Sequence, residues 1–354
     1  MKRSVLAATF CTFALITLPS NVFAFEVGVR EIKVPSAERN KELSVTVWYP
    51  AQKGGAAVLY GQNKVFEGTQ AYLDAPFAVG TFPVVLLSHG SGGRVEAAGW
   101  LAARLAKAGF MVAGPNHPGT TSGDSLPAET PKLWQRTHDI SDVTSFLTSD
   151  AEWAPHLKAD QVGVVGFSLG GATALELIGA RANLEAFATY CDQYDKWDCA
   201  WYQGGVGYTD GETVKVGMVD LRTVDKMLFE QSNLDTRIKS AVIVDPGLVH
   251  AYVPESLKEI SVPSAFINLG SGDEIPFAVI ADKVSSQVPG AQYETVSGAD
   301  HFSFLPVCQP SAVDFLDSIG EIDPICADTV KSRSDIHSEV SELVLKHMDE
   351  TLRK

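Results

Sequence analysis

From Glu26 to Pro50 apolar and polar positions alternate, as in Val27-Val29-Ile32-Val34 and Leu43-Val45-Val47, with Ala37 to Lys41 between the two runs. A period of two is that of a half-buried strand, so the spacing predicts two antiparallel edge strands joined by a turn. Residues 51–82 are rich in Gly, Ala and polar groups without a clear period and read as a surface excursion. The rhythm then changes. Pro83 to Leu87 and Phe110 to Ala113 are apolar runs on either side of helical spacing from Ala97 to Ala108. The alternation continues with a helix Ile140 to Leu147, a strand Val162 to Val165, a helix Gly170 to Ala180 and strands Ser240 to Val244 and Ala265 to Leu269. A helix Pro276 to Gln287, a strand Tyr293 to Val296 and a helix Ser334 to Leu352 complete it. Apolar runs alternating with helices predict an α/β fold whose mostly parallel central sheet is covered by helices on both faces. Between Asn183 and Asp235 the alternation lapses. That stretch holds Tyr190, Tyr194, Trp197, Trp201, Tyr202 and Tyr208 with Cys191 and Cys199, and reads as a lid-like insertion, about 183–235, in a single domain spanning 25–354.

Lys2 and Arg3 precede an apolar run from Val5 to Leu18, and Val22-Phe23-Ala24 offers small residues for cleavage, the pattern of a signal peptide over 1–24. Broken by Thr9, Thr12 and Thr17, the run falls short of the roughly 20 residues needed to span a bilayer. Cys11 lies inside it without the small residues of a lipoprotein site. The mature chain is therefore expected in the periplasm or outside the cell, without stable membrane insertion. Its other cysteines, Cys191, Cys199, Cys308 and Cys326, are even in number, and two disulfides are expected in an oxidising compartment. Of the three pairings, Cys191 with Cys199 and Cys308 with Cys326 close the shortest loops. The formal charge of -15, two units more negative once Lys2 and Arg3 leave, repels phosphate and argues against nucleic acid and anionic membrane as partners.

The sharpest chemical signal is Gly166-Phe167-Ser168-Leu169-Gly170, directly after an apolar run and directly before a helix-forming stretch. This is the pattern of a nucleophile elbow, in which a tight strand-to-helix turn presents the serine hydroxyl at the edge of the sheet. A hydroxyl attacks only when a base takes its proton, and His301, in Gly298-Ala299-Asp300-His301-Phe302, is the histidine that follows a late strand end. Two aspartates between them also end strands, Asp245 and Asp273, and either can orient the imidazole. The oxyanion needs preorganised donors. The N–H of Leu169 is one, and the loop His89-Gly90-Ser91-Gly92-Gly93 offers the N–H of Ser91, with Gly90 as its substitute. His89 is expected to shape that loop, and His117 either lines the site or holds structure. His138, His156 and His250 read as structural, and His337 and His347 as solvated positions on the terminal helix. Asp192, Asp195 and Asp198 read as a solvated acidic edge. No metal-ligand, phosphate-loop or dinucleotide pattern is present, so no cofactor or metal is implied.

Val45-Thr46-Val47-Trp48-Tyr49-Pro50, Ser88-His89-Gly90, Gly166 to Gly171, Val244-Asp245-Pro246 and Gly298 to Phe302 together resemble the bacterial predicted dienelactone hydrolases, which share a core with platelet-activating-factor acetylhydrolases and plant chlorophyllases. The resemblance covers about Val27 to His301 and implies an α/β-hydrolase fold and serine esterase activity on a small-molecule or lipid-like ester. The acetylhydrolases and chlorophyllases imply Asp245 as the acid, whereas true dienelactone hydrolases imply Asp273. Those enzymes use a cysteine nucleophile where this chain has Ser168. The same constellation also serves amidases and thioesterases, and an exported binding protein with a vestigial triad is the rival from outside enzymes.

Overall fold

The computed structural model describes residues 25–353, so the expected leader, its cleavage after Ala24 and Cys11 lie outside the described residues. The strands are β1 (Glu26–Ser36), β2 (Lys41–Ala51), β3 (Ala56–Tyr60), β4 (Thr69–Leu73), β5 (Phe82–Ser88), β6 (Met111–Pro115), β7 (Thr120–Thr121) and β8 (Asp124–Ser125). They continue with β9 (Leu157–Phe167), β10 (Gly205–Thr209), β11 (Glu212–Val216), β12 (Ile238–Val244), β13 (Ser264–Leu269) and β14 (Gln292–Val296). One sheet runs in the order β14-β13-β12-β9-β5-β6-β2-β1-β4-β3. From β14 to β6 all neighbours are parallel, and β2 then pairs antiparallel with β6 and with β1. Every residue of β5, β6 and β13 is buried, as it must be in a sheet covered on both faces.

Successive side chains divide between those faces. Val84 and Leu86 join Val162, Val164 and Ile243 in a core with Ile140, Val143, Leu147, Ala172 and Leu175, which come from two helices on that face. Val85 and Leu87 join Val112, Val165 and Val242 in a second core with Leu101, Leu105, Val340, Val344 and Met348. The latter lie on α1 (Gly99–Lys107) and the terminal helix Arg333–Leu352; α2 is Leu133–Ser149 and α3 is Leu169–Leu177.

Four expectations are corrected. β1 and β2 are not edge strands, because residues expected as a surface excursion form the β3–β4 hairpin, and β4 joins β1. Both hairpin strands are short and, in these two, Ala71 alone is fully buried, so their pattern carries little apolar signal. Helix α2 begins seven residues before Ile140, since its first turns bury Arg136, Thr137 and Asp139, which apolar spacing does not count. The helix expected over Pro276 to Gln287 is reduced to Asp282–Ser285. Asn268 captures the backbone there instead, donating to Val279 O (2.9 Å) and accepting from Ala281 N (2.8 Å). Fourth, His337, His347 and Asp198, expected at the solvated surface, are buried or partly buried.

The stretch after α3 departs from the alternation as expected. It forms α4 (Leu184–Gln193), a four-residue helix Asp198–Trp201 and the β10–β11 hairpin, which joins β8 and β7 in a second sheet. Disulfides Cys191–Cys199 and Cys308–Cys326 form as the short loops suggested.

Glu176, on α3, is fully buried; Asn233 donates to its Oε2 (2.7 Å) while its Oε1 has no partner among the described residues. Burial pushes its carboxyl up to about 8, against the Asn233 hydrogen bond that lowers it. The folded state thus holds this proton where the unfolded chain, near 4.5, has released it. Stability is full below the unfolded value and is lost as pH rises through the folded one. Glu176→Gln is expected to remove that loss, so its stability relative to wild type should rise by roughly 4–5 kcal/mol between about pH 4 and about pH 8.5, at about 1.4 kcal/mol per pH unit over the interval between the two values. Urea unfolding at the two pH values checks it; equal differences at both would refute it.

Candidate active site

Strand β9 ends at Phe167, α3 starts at Leu169, and Ser168 between them adopts φ 55° and ψ -120°, a region that L side chains rarely occupy. The turn is held by Ser168 N–H donating to Val244 O (2.9 Å) and by Gly171 and Gly247 N–H donating to Ser168 O (2.8 and 3.0 Å). The glycines have a steric cause. A Cβ on Gly166 would overlap the carbonyl of Gly170, and one on Gly170 would overlap that of Ser88. Gly171 passes so close to Pro246 that a Cβ would lie 2.9 Å from its Cα. The elbow read from the sequence is therefore what close packing of β9, α3 and the β5 and β12 loops requires.

His301 opens a 3-10 turn capped by Asp300, which accepts from Ser303 N–H at 2.8 Å. Its Nδ1–H donates to Asp245 Oδ2 at 2.8 Å, and both side chains are buried. Asp245 follows β12 with φ 41°, and its Oδ1 accepts from Asn268 Nδ2 (2.7 Å) and Leu269 N–H (2.9 Å). A carboxylate only accepts, so the proton sits on Nδ1 and leaves Nε2 able to accept another. Phe167 lies against the imidazole, with ring centroids 4.8 Å apart, and stacks on Phe304. Of the two aspartates, the structure brings Asp245 to His301 and leaves Asp273 exposed in a short 3-10 turn.

Gly90 to Gly93 form a turn closed by Gly93 N–H donating to Gly90 O (3.1 Å). Gly90 is buried beside Ser168, where a Cβ would lie 3.1 Å from the serine Cβ, and Ser91 is exposed. The N–H groups of Gly90 and Ser91 donate to no acceptor among the described residues, and Leu169 N–H is the first of α3, which has no partner within the helix.

His89 and His117 lie behind this loop. His89 Nδ1–H donates to Gly90 O (2.7 Å), and its Nε2 accepts from His117 N–H (3.1 Å). His117 Nδ1–H donates to Asp139 (2.8 Å) while Ser88 Oγ–H donates to its Nε2 (3.0 Å). Burial lowers both imidazoles well below their ordinary range, helped by the nearby charge of Arg136. His117 thus holds structure. His250, stacked on Tyr190 and Phe277, donates to Phe277 O (2.8 Å), while His138 is half-exposed near Glu38 and His156 stacks on Phe77.

His337 and His347 are not solvated. His337 stacks on Trp100 at 3.9 Å and donates to Ser303 O and Leu305 O, with burial pushing it down to about 4. His347 is buried beneath Pro263. The terminal helix packs this stripe inward, which its mixed polar sequence conceals. Asp192 and Asp195 are exposed, Asp192 pairing with Arg222 (2.8 Å), but Asp198 is not part of a solvated edge. Tyr190 OH and Cys199 N–H donate to its Oδ1 (3.1 and 3.0 Å), and burial pushes its carboxyl up to about 6. Trp197, the residue before it, stands edge-on to His301 with ring centroids 5.8 Å apart. Trp197 was legible only as one of the aromatic residues of the insertion, and apolar spacing gave no signal for the buried Arg136 and Asp139 behind the loop, whose partners lie tens of residues away.

Residues 69–196 match the model of the dienelactone hydrolase family. Among solved structures, a ferulic acid esterase from Streptomyces cinnamoneus superposes with a TM-score of 0.62 at 17% identity, covering 96% of this chain and 93% of that one. A dienelactone hydrolase from Anabaena variabilis superposes with a TM-score of 0.48 at 14% identity, covering 92% and 99%. A search of curated proteins finds none that matches. Sheet order, elbow and family match together define an α/β-hydrolase. Within that class, residues 69–196 are similar to the dienelactone hydrolase family.

Proposed function

We propose that this chain is an exported serine esterase that cleaves a small-molecule ester through an acyl-enzyme intermediate. The observation that carries the reading is the His301–Asp245 hydrogen bond of 2.8 Å beside an elbow that holds Ser168 at φ 55°. Ser168 Oγ attacks the ester carbonyl as His301 Nε2 takes its proton. The oxyanion is received by Leu169 N–H and by Ser91 or Gly90 N–H, the donors left without acceptors. Asp245 fixes the ring and favours the imidazolium, which then protonates the departing alcohol; water repeats the sequence on the acyl-enzyme. Export is supported by the leader pattern and the two disulfides, and among the described residues no helix is long and apolar enough to cross a membrane.

The disulfide-tied aromatic segment around Trp197 shapes the acyl or alcohol pocket in this reading, since Trp197 meets His301 edge-on. Trp197→Ala is expected to change relative rates across ester chain lengths; an unchanged profile removes that role. The central test is mass spectrometry after a fluorophosphonate probe. Rapid, single-site labelling of Ser168 is expected, and a folded sample that resists the probe would turn the reading toward an exported binding protein.

A further inference from the structure

Arg136, near the start of α2, is 1% exposed, and all its hydrogen bonds go to neutral oxygens. Nε donates to Thr173 Oγ1 (3.0 Å), Nη1 to Thr120 Oγ1 (2.6 Å), and Nη2 to Ser88 Oγ (3.3 Å) and to the carbonyl of His89. The carboxylate whose charge acts on it, Asp139, is already gripped by Arg39 through two bonds of 2.8 and 2.7 Å and by His117. His89 and His117 are kept neutral by burial, and the Nε2 of His89 accepts a backbone N–H. The cluster of Arg39, Arg136 and Asp139 therefore carries a net positive charge in the interior, an arrangement that costs stability and needs another reason to persist.

The position of that charge supplies the reason. In a planar trans peptide the carbonyl and the following N–H point to opposite sides. Arg136 binds the His89 carbonyl, so the Gly90 N–H of the same peptide is turned the other way. The next peptide is locked likewise: Gly90 O accepts from the His89 ring and from Gly93 N–H, which turns the Ser91 N–H away. Thr173, one turn along α3 from Leu169, ties the same guanidinium to the helix that supplies the other oxyanion donor.

We propose that Arg136 is a positioning residue for catalysis, orienting the oxyanion donors through the His89 carbonyl and placing a buried positive charge behind the site where negative charge develops. This rests on the esterase reading above and adds a role that does not touch substrate. A group acting on the oxyanion changes the chemical step more than ground-state binding.

The test compares Arg136→Met and Arg136→Lys with wild type on an aryl acetate, with activity expressed per fluorophosphonate-labelled Ser168 so that unfolded protein is not counted. In Arg136→Met, kcat per labelled site is expected to fall by about 100-fold with KM changed less than about threefold. Arg136→Lys, which keeps the charge but not the planar fork, is expected to recover about tenfold of that loss. If Arg136→Met does not fold, Arg136→Lys alone decides, with an expected loss of about tenfold in kcat. Wild-type kcat per labelled site in the folded variants would overturn the proposal while leaving the esterase reading standing. A wild-type enzyme that neither labels nor turns over would overturn both.

Discussion

Ser168→Ala is expected to lower kcat/KM for a simple aryl ester by on the order of 10^4-fold or more while leaving the fold intact, because no other group beside His301 offers a nucleophile on the elbow. The companion variant Ser168→Gly separates function from stability. Ser168 is held at φ 55° and ψ -120°, a conformation that costs a side chain of order 1–3 kcal/mol and a glycine almost nothing. Against that gain stands the greater freedom of glycine in the unfolded chain, worth about 0.4–1 kcal/mol. Ser168→Gly should therefore be as inactive as Ser168→Ala and more stable than wild type by roughly 1 kcal/mol. Steady-state kinetics and urea unfolding read the two effects. An inactive variant with a lower unfolding midpoint than wild type would mean that the elbow is not strained.

The second large effect is expected at Asp245. Its Oδ1 accepts from both Asn268 Nδ2 and Leu269 N–H, so in Asp245→Asn the amide oxygen must stay there and the amide nitrogen must take the position of Oδ2. That nitrogen donates, which forces His301 Nδ1 to accept and moves the imidazole proton to Nε2, the atom that has to receive the proton of Ser168. A loss of on the order of 10^3 to 10^4 in kcat is expected, with modest change in stability. Asp273→Asn, on an exposed turn while His301 bonds Asp245 instead, should stay within about twofold of wild type. The reverse pattern, with Asp273→Asn impaired and Asp245→Asn active, would show that the acid is supplied from the loop after β13.

How much of this was legible beforehand depends on whether the physical cause is local. The parallel sheet could be read from apolar runs, since a strand buried on both faces must be apolar throughout, and β5, β6 and β13 are. Ser168 could be read because the glycine at 166 answers a clash with the carbonyl of Gly170, within one turn of chain. His301 was singled out by its place just beyond a late strand, and both disulfides followed from loops short enough to close locally. Elements whose residues serve distant partners were misread. The β3–β4 hairpin has too few buried positions to show a period, the first turns of α2 bury Arg136 and Asp139 where apolar spacing is counted, and the helix expected after Pro276 yields its backbone to Asn268.

Between Asp245 and Asp273 the amino-acid order is indifferent, since each follows a parallel strand and each precedes His301. The choice came from three dimensions: Asn268 and Leu269, on the neighbouring strand, hold one carboxylate oxygen of Asp245 so that the other meets the imidazole. The same holds behind the oxyanion loop, where Arg136 reaches a carbonyl 47 residues away and Arg39 an aspartate 100 residues away. By itself, the sequence determined the fold class and singled out the elbow serine and the late histidine that the proposed mechanism uses, because periodicity, turn sterics and strand order act between near neighbours. Which aspartate meets His301, how the peptides of the His89–Gly93 loop are turned and which charge lies beneath them were decided by the tertiary structure, because a hydrogen bond depends on where two groups meet in space and leaves no mark in the spacing of the residues that make it.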